Sequence, residues 1–130
     1  MPPDPLIRLR AICLARPDTT ERLSHGEPTF FVRTKVFAMH ASAGNHHGSG
    51  RPAVWIKARP LNQELVIRDD PTRYFKPPYV GPSGWIGVWL DKRPPWAVIE
   101  ALIDDGFRQA APRQVLAAMD GAPVSRAPIR

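Results

Sequence analysis

Acidic residues are missing from two long windows of this chain. Pro28–Gln63 and Pro71–Leu90 contain Arg33, Lys35, Arg51, Lys57, Arg59, Arg73 and Lys76 but no Asp or Glu. Neither window can neutralise itself, and with a net charge of +6 the chain favours anionic partners: nucleic acid, phosphorylated metabolites or acidic protein surfaces. Cysteine is almost missing too. The lone Cys13 excludes an internal disulfide and fits a reducing cytosol; between Ile12 and Leu14 it reads as a small buried hydrophobe. No apolar run approaches the ~20 residues of a membrane span, and the N-terminus has no signal-peptide core, so a cytoplasmic protein without a membrane partner is expected.

Catalytic signatures are also lacking. There is no GxSxG elbow, P-loop or dinucleotide fingerprint, and in the glycine-rich turn Gly81–Gly84 Pro82 removes a donor that a phosphate cradle would want. The four histidines, His25, His40, His46 and His47, match no zinc spacing and have no cysteine pair beside them. Glu27, two residues from His25, is the nearest thing to an acid–base pair. The expectation is therefore no metal, no cofactor and no catalytic residue, with a binding protein favoured over an enzyme.

Proline is abundant: 16 of 130 residues, more than twice the average usage of about 5%. The prolines are scattered, which predicts short rigid connections. The length is that of one domain, assigned to residues 1–120, with 121–130 as a C-terminal tail. Asp4-Pro5 is a helix start and Pro17 a stop, and Leu6, Leu9 and Ile12 or Cys13 recur at helical spacing. Asp18–Glu21 reads as a further helical turn leading into the polar link Ser24–Pro28. Thr29–Val32 and Lys35–Ala41 read as a hairpin around Arg33-Thr34, although Thr34 is poorly suited to positive φ. Ser42–Arg51 is a glycine-rich loop. Ala53–Ala58 and Trp85–Leu90 alternate as strands, with Val54, Ile56, Ile86, Val88 and Leu90 on the inner face and Trp55, Lys57, Trp85 and Trp89 on the outer.

Further helices are expected from Pro60 to Asp69, through Trp96, Ile99, Leu102, Ile103 and Phe107, and over Arg113–Met119. Gly106 sits inside the Trp96–Phe107 stripe and costs stability there unless another backbone passes close by. Arg73–Lys76 has no clear type. A helix, clustered strands and then helices define an α+β single domain, an antiparallel sheet with helices packed on one face.

The order of a short helix, HGEPTFFVRTKVFA, a VWIKA strand, YVGPSGW and a closing amphipathic helix resembles the MmcQ/YjbR family of small bacterial proteins. The resemblance covers roughly residues 6–119. It implies a frataxin-like arrangement, and it implies DNA binding through two winged loops, as members are commonly described. Thr34 stands where the family usually has Gly, and Gly106-Phe107 where it often has Ser-Tyr.

Two candidate sites follow. For non-sequence-specific DNA, phosphates would be met by Arg33, Lys35, Arg51, Lys57 and Arg59 on the loops Arg33–Lys35 and Ser42–Arg51. Outer-face indoles would stack on unpaired bases if exposed, though tryptophans are more often buried. No recognition helix is apparent. The alternative is a pocket for a small anionic or aromatic ligand lined by His25, His46, His47, Trp55, Lys57, Tyr79 and Trp85. Oligomeric state is open, and a monomer is compatible with everything above.

Overall fold

The computed structural model describes residues 4–44 and 50–120; the expected tail, 121–130, lies outside them. Helix α1 (Pro5–Leu14) begins as the sequence predicts, with Asp4 accepting from the Leu6 N–H at 2.9 Å and Pro5 in the first turn. It stops before Pro17, with Leu9 and Cys13 buried. Six strands follow among the described residues: β1 (Thr19–Ser24), β2 (Glu27–Val32), β3 (Lys35–Ala41), β4 (Ala53–Ile56), β5 (Tyr74–Phe75) and β6 (Ile86–Trp89). They form one sheet in the order β1-β2-β3-β4-β6-β5, antiparallel at every pairing. Helix α2 (Pro60–Asp69) links β4 to β5, and a 3-10 turn (Gly81–Ser83) precedes β6. Helices α3 (Trp96–Ala110) and α4 (Arg113–Met119) close the domain. No described helix is long and apolar enough to cross a membrane.

One element differs from expectation. Asp18–Glu21 is not a helical turn: Thr19–Ser24 forms the edge strand β1, and Ser24 pairs with Glu27 across His25-Gly26. Both turn residues have positive φ, 52° and 80°, the backbone that a two-residue hairpin needs to match strand twist. Thr19–Ser24 is mostly polar because an edge strand buries little, so its alternation carried no apolar signal. At the second hairpin Val32 pairs with Lys35, and the positive φ, 54°, falls on Arg33, not Thr34. Arg73–Lys76 resolves into β5, a two-residue edge strand against β6.

The inner face is the predicted one. Phe30, Val32, Phe37, Val54, Ile56, Ile86 and Val88 pack against Leu9 and Cys13 of α1, Ile99, Leu102, Ile103 and Phe107 of α3, and Val115 of α4. Val66 and Ile67 of α2 join the same cluster. The β2–β3 register skips Phe37, and this bulge lets Phe37 and its neighbour Ala38 both reach that core. Phe37 meets Phe107 edge to face, centroids 5.5 Å apart. Gly106 answers the sequence's requirement: a Cβ there would lie 2.6 Å from the Lys57 carbonyl oxygen, so α3 crosses the end of β4 at backbone contact.

Candidate nucleic-acid interface

Antiparallel order gives the sheet two ends. Tracing the registers, β2 runs from Glu27 to Val32, β3 back from Lys35 to Ala41, β4 from Ala53 to Ile56 and β6 from Ile86 to Trp89. One end therefore collects Arg33, Lys35, Lys57, Arg59 and the loop from Lys76 to Trp85. The other collects His25, Arg51, Arg73 and Asp91. Four of the five predicted phosphate contacts share an end and Arg51 is left at the opposite one, so the two loops predicted as paired wings do not stand side by side.

At the Lys57 end the backbone is fixed tightly. The Lys57 N–H donates to the Phe37 carbonyl at 2.9 Å, extending the ladder past β4. Arg59 is extended at the start of α2, with Pro60 in the first turn. Gly84, at φ 101°, lies against that junction: a Cβ there would sit 2.5 Å from the Pro60 nitrogen. Gln63 of α2 donates to the carbonyls of Gly81 and Trp85 at 2.8 and 2.7 Å, clamping the proline-set loop to the helix. The Lys76 stem crosses Gly81 closely enough that a Cβ there would approach its Cγ to 2.7 Å. The loop thus has a defined seat, and Lys76 emerges at the same sheet end as Lys57. Sequence reasoning counted Lys76 as a cation without placing it, and it missed Gln63 altogether; no local signal says which carbonyls a helix glutamine will reach.

The charges at this end divide into paired and unpaired. Arg33 contacts Asp18 at 3.0 Å. Lys57 places its ammonium 6.0 Å from the Trp85 ring centroid. Lys35, Arg59 and Lys76 are exposed, and among the described residues none has a carboxylate within 4.0 Å.

The Arg51 end is more balanced. Arg51 grips Asp91 with two hydrogen bonds, 2.8 and 2.9 Å, and lies 4.3 Å from the Trp89 ring centroid. These bonds hold the Asp91 carboxyl below its ordinary pKa, against a smaller opposing effect of burial. Trp89 also stacks on Phe75 at 4.1 Å. A cleft of about 600 Å³ here is lined by Arg51, Thr72, Arg73, Trp89, Asp91 and Lys92; Arg73 is paired with Asp70 at 3.4 Å.

The indoles do not offer stacking platforms. Trp55 and Trp85 are only 6% and 5% exposed, and Trp89 is already stacked. The histidines separate as well. His25 is exposed in the β1–β2 turn, at the end opposite Lys57, Trp85 and Tyr79, while His46 and His47 lie outside the described residues. Glu27 pairs not with His25 but with His40, whose Nδ1 is 3.2 Å from Glu27 Oε1; Glu27 Oε2 accepts from the Ser42 N–H and hydroxyl at 2.8 and 2.7 Å. Ser42 is bound to the carboxylate and not to the imidazole, so this cluster is not a nucleophile relay. No group of three potential metal ligands occurs among the described residues.

Fold and surface together define a small basic α+β protein with one sheet, helices on a single face and Lys35, Lys57, Arg59 and Lys76 gathered at one sheet end. The chain belongs to the YjbR family, whose model matches residues 14–109. Among solved structures it is similar to Deinococcus radiodurans protein DR2400, with family-model domain DUF419: TM-score 0.69, 16% identity, over 95% of this chain and 94% of that one. At that identity the likeness speaks for the fold alone. No curated protein matches the sequence.

Proposed function

We propose that this protein binds the nucleic-acid backbone, without reading sequence and without chemistry, through the Lys57 end of its sheet. One observation carries the reading: Lys35, Arg59 and Lys76, exposed and unpaired, share that end with Lys57. A cation without an internal carboxylate gives up only water and counterions when it meets a phosphate, and the released counterions drive association. Arg33 contributes by exchanging Asp18 for a phosphate, which costs little because an exposed ion pair is worth about 0–1 kcal/mol. Buried Trp55 and Trp85 favour a duplex contacted along its phosphates over a single strand held by base stacking.

Fluorescence anisotropy with a labelled DNA duplex tests this. About four phosphate contacts give a log–log salt slope of about −3 to −4, so a fourfold rise in salt weakens binding about a hundredfold. Replacing Lys35, Arg59 and Lys76 together by Ala should flatten the slope by nearly three contacts' worth, and permuting the duplex sequence should change nothing. Failure to bind at low salt, or a triple variant that binds like the parent, rules the reading out. Tighter binding to single strands would return the function to stacking.

A further inference from the structure

We propose that the cleft between α1 and the β6–α3 connection binds a small, flat aromatic molecule carrying one carboxylate. The cleft encloses about 780 Å³, a volume in the range of small-molecule sites. Pro52, Leu90 and Asp91 place it at the Arg51 end of the sheet, away from Lys57. It shares no residue with the pocket expected around His25, Trp55 and Trp85.

The walls follow from local structure. Positions three, four and seven apart share a helix face, and on α1 that face gives the cleft Asp4, Ile7, Arg8 and Ala11. The other wall is the chain leading from β6 into α3, with Leu90, Asp91, Arg93, Pro94 and Trp96, and Pro52 stands just before β4. This wall is stiff. The Leu90 N–H donates to the Pro52 carbonyl and the Trp96 N–H to the Pro94 carbonyl, both at 2.9 Å. Pro94 and Pro95 fix two successive φ angles. Arg93 is held at φ 43°, left-handed backbone that a bulky side chain keeps only where its surroundings impose it. A cleft already formed spares its ligand the entropy of ordering it.

The lining is apolar except for four charged side chains, and these decide the ligand. Asp91 is taken by Arg51 through two hydrogen bonds, 2.8 and 2.9 Å. Asp4 caps α1, accepting from the Leu6 N–H at 2.9 Å. Arg8 and Arg93 are exposed, and among the described residues neither has a carboxylate within 4.0 Å. With Asp91 neutralised by Arg51, two guanidiniums stand against the one carboxylate of Asp4. A monoanion matches that surplus, and the planar guanidinium fork matches the two oxygens of a carboxylate. The rings select the body of the ligand. Trp96, Pro94 and Pro52 are rigid and apolar, and Arg8 already lies 5.1 Å from the Trp96 ring centroid. An aromatic ring entering beside the indole packs against it while its carboxylate meets the guanidinium.

Titrating the isotope-labelled full chain with naphthoate, followed by amide NMR, tests this. The Trp96 indole N–H and the Arg8, Ala11 and Leu90 amides should shift and saturate with a Kd below about 1 mM. The neutral isostere naphthamide and the non-aromatic cyclohexanecarboxylate should each bind at least about fivefold more weakly. Arg8→Gln with Arg93→Gln should weaken naphthoate about tenfold and leave naphthamide unchanged. Ala11→Phe, at an exposed position of α1, should fill the cleft and abolish binding; should it also unfold the chain, the double arginine variant decides alone. The triple Lys35, Arg59 and Lys76 variant should bind naphthoate like the parent, so this site and the nucleic-acid surface stand or fall separately. Shifts absent from the cleft at millimolar naphthoate overturn the proposal. So does naphthamide binding as tightly as naphthoate, or a double arginine variant that binds like the parent.

Discussion

Cys13 lies wholly inside the packing between α1 and the sheet. Burial pushes its thiol well above the ordinary range, with Arg16 pulling weakly the other way. In the folded chain the group stays protonated, while in the unfolded chain it ionises above about pH 8.5. Proton release then belongs to the unfolded state alone. The contribution of Cys13 to stability should be level below that pH and fall as pH rises from about 8.5 towards 10, by at most about 1.4 kcal/mol per unit. Urea melts across that interval would show the decline, and Cys13→Ala should flatten it while lowering stability at every pH through lost packing. A thiol reagent should modify Cys13 only once the chain is unfolded; fast reaction of the native protein would contradict its burial. The sequence foretold this burial from two apolar neighbours. For Trp55 and Trp85 it favoured burial only from the general habit of tryptophan, because an alternating strand says which face a side chain takes and not what covers that face.

Element by element, the contact between α3 and β4 is the most constrained. Gly106→Ala would raise intrinsic helix propensity by about 1 kcal/mol in a free helix. In this protein the added methyl meets the Lys57 carbonyl at 2.6 Å, and neither a mid-helix backbone nor the end of a central strand can yield cheaply. A net loss of about 1–3 kcal/mol is expected, measured by chemical denaturation. A neutral or stabilising result would mean that α3 rides higher over the sheet. The position was legible as an anomaly, a glycine within an apolar stripe, but its cause needed the crossing. The same limit hid β1: Thr19–Ser24 pairs through its backbone, and its polar side chains carry no core pattern to read.

For the whole molecule, the arrangement of charge decides more than its total. The cations of the two acid-free windows are divided between two sheet ends, and the Lys57 end holds Lys35, Arg59 and Lys76 with no carboxylate within 4.0 Å among the described residues. Arg51→Ala separates the two ends experimentally. It should leave the salt slope of duplex binding within one phosphate contact, about 0.9, of the parent. It should also lower stability by about 1 kcal/mol, from an exposed ion pair and a cation–ring contact. A slope reduced as much as by the triple substitution would show that both ends grip the ligand.

The sequence by itself determined the inner core, the helices, most strands, the antiparallel α+β architecture and the excess of cations, because these follow from local periodicity, capping residues and composition. Strand order was decided only in three dimensions. It set His25 away from Lys57, split Arg51 from Arg33, Lys57 and Arg59, paired Glu27 with His40, and left the β1 edge open. The physical reason is that periodicity acts over a few residues, whereas the end of a sheet on which a side chain emerges depends on registers between segments tens of residues apart.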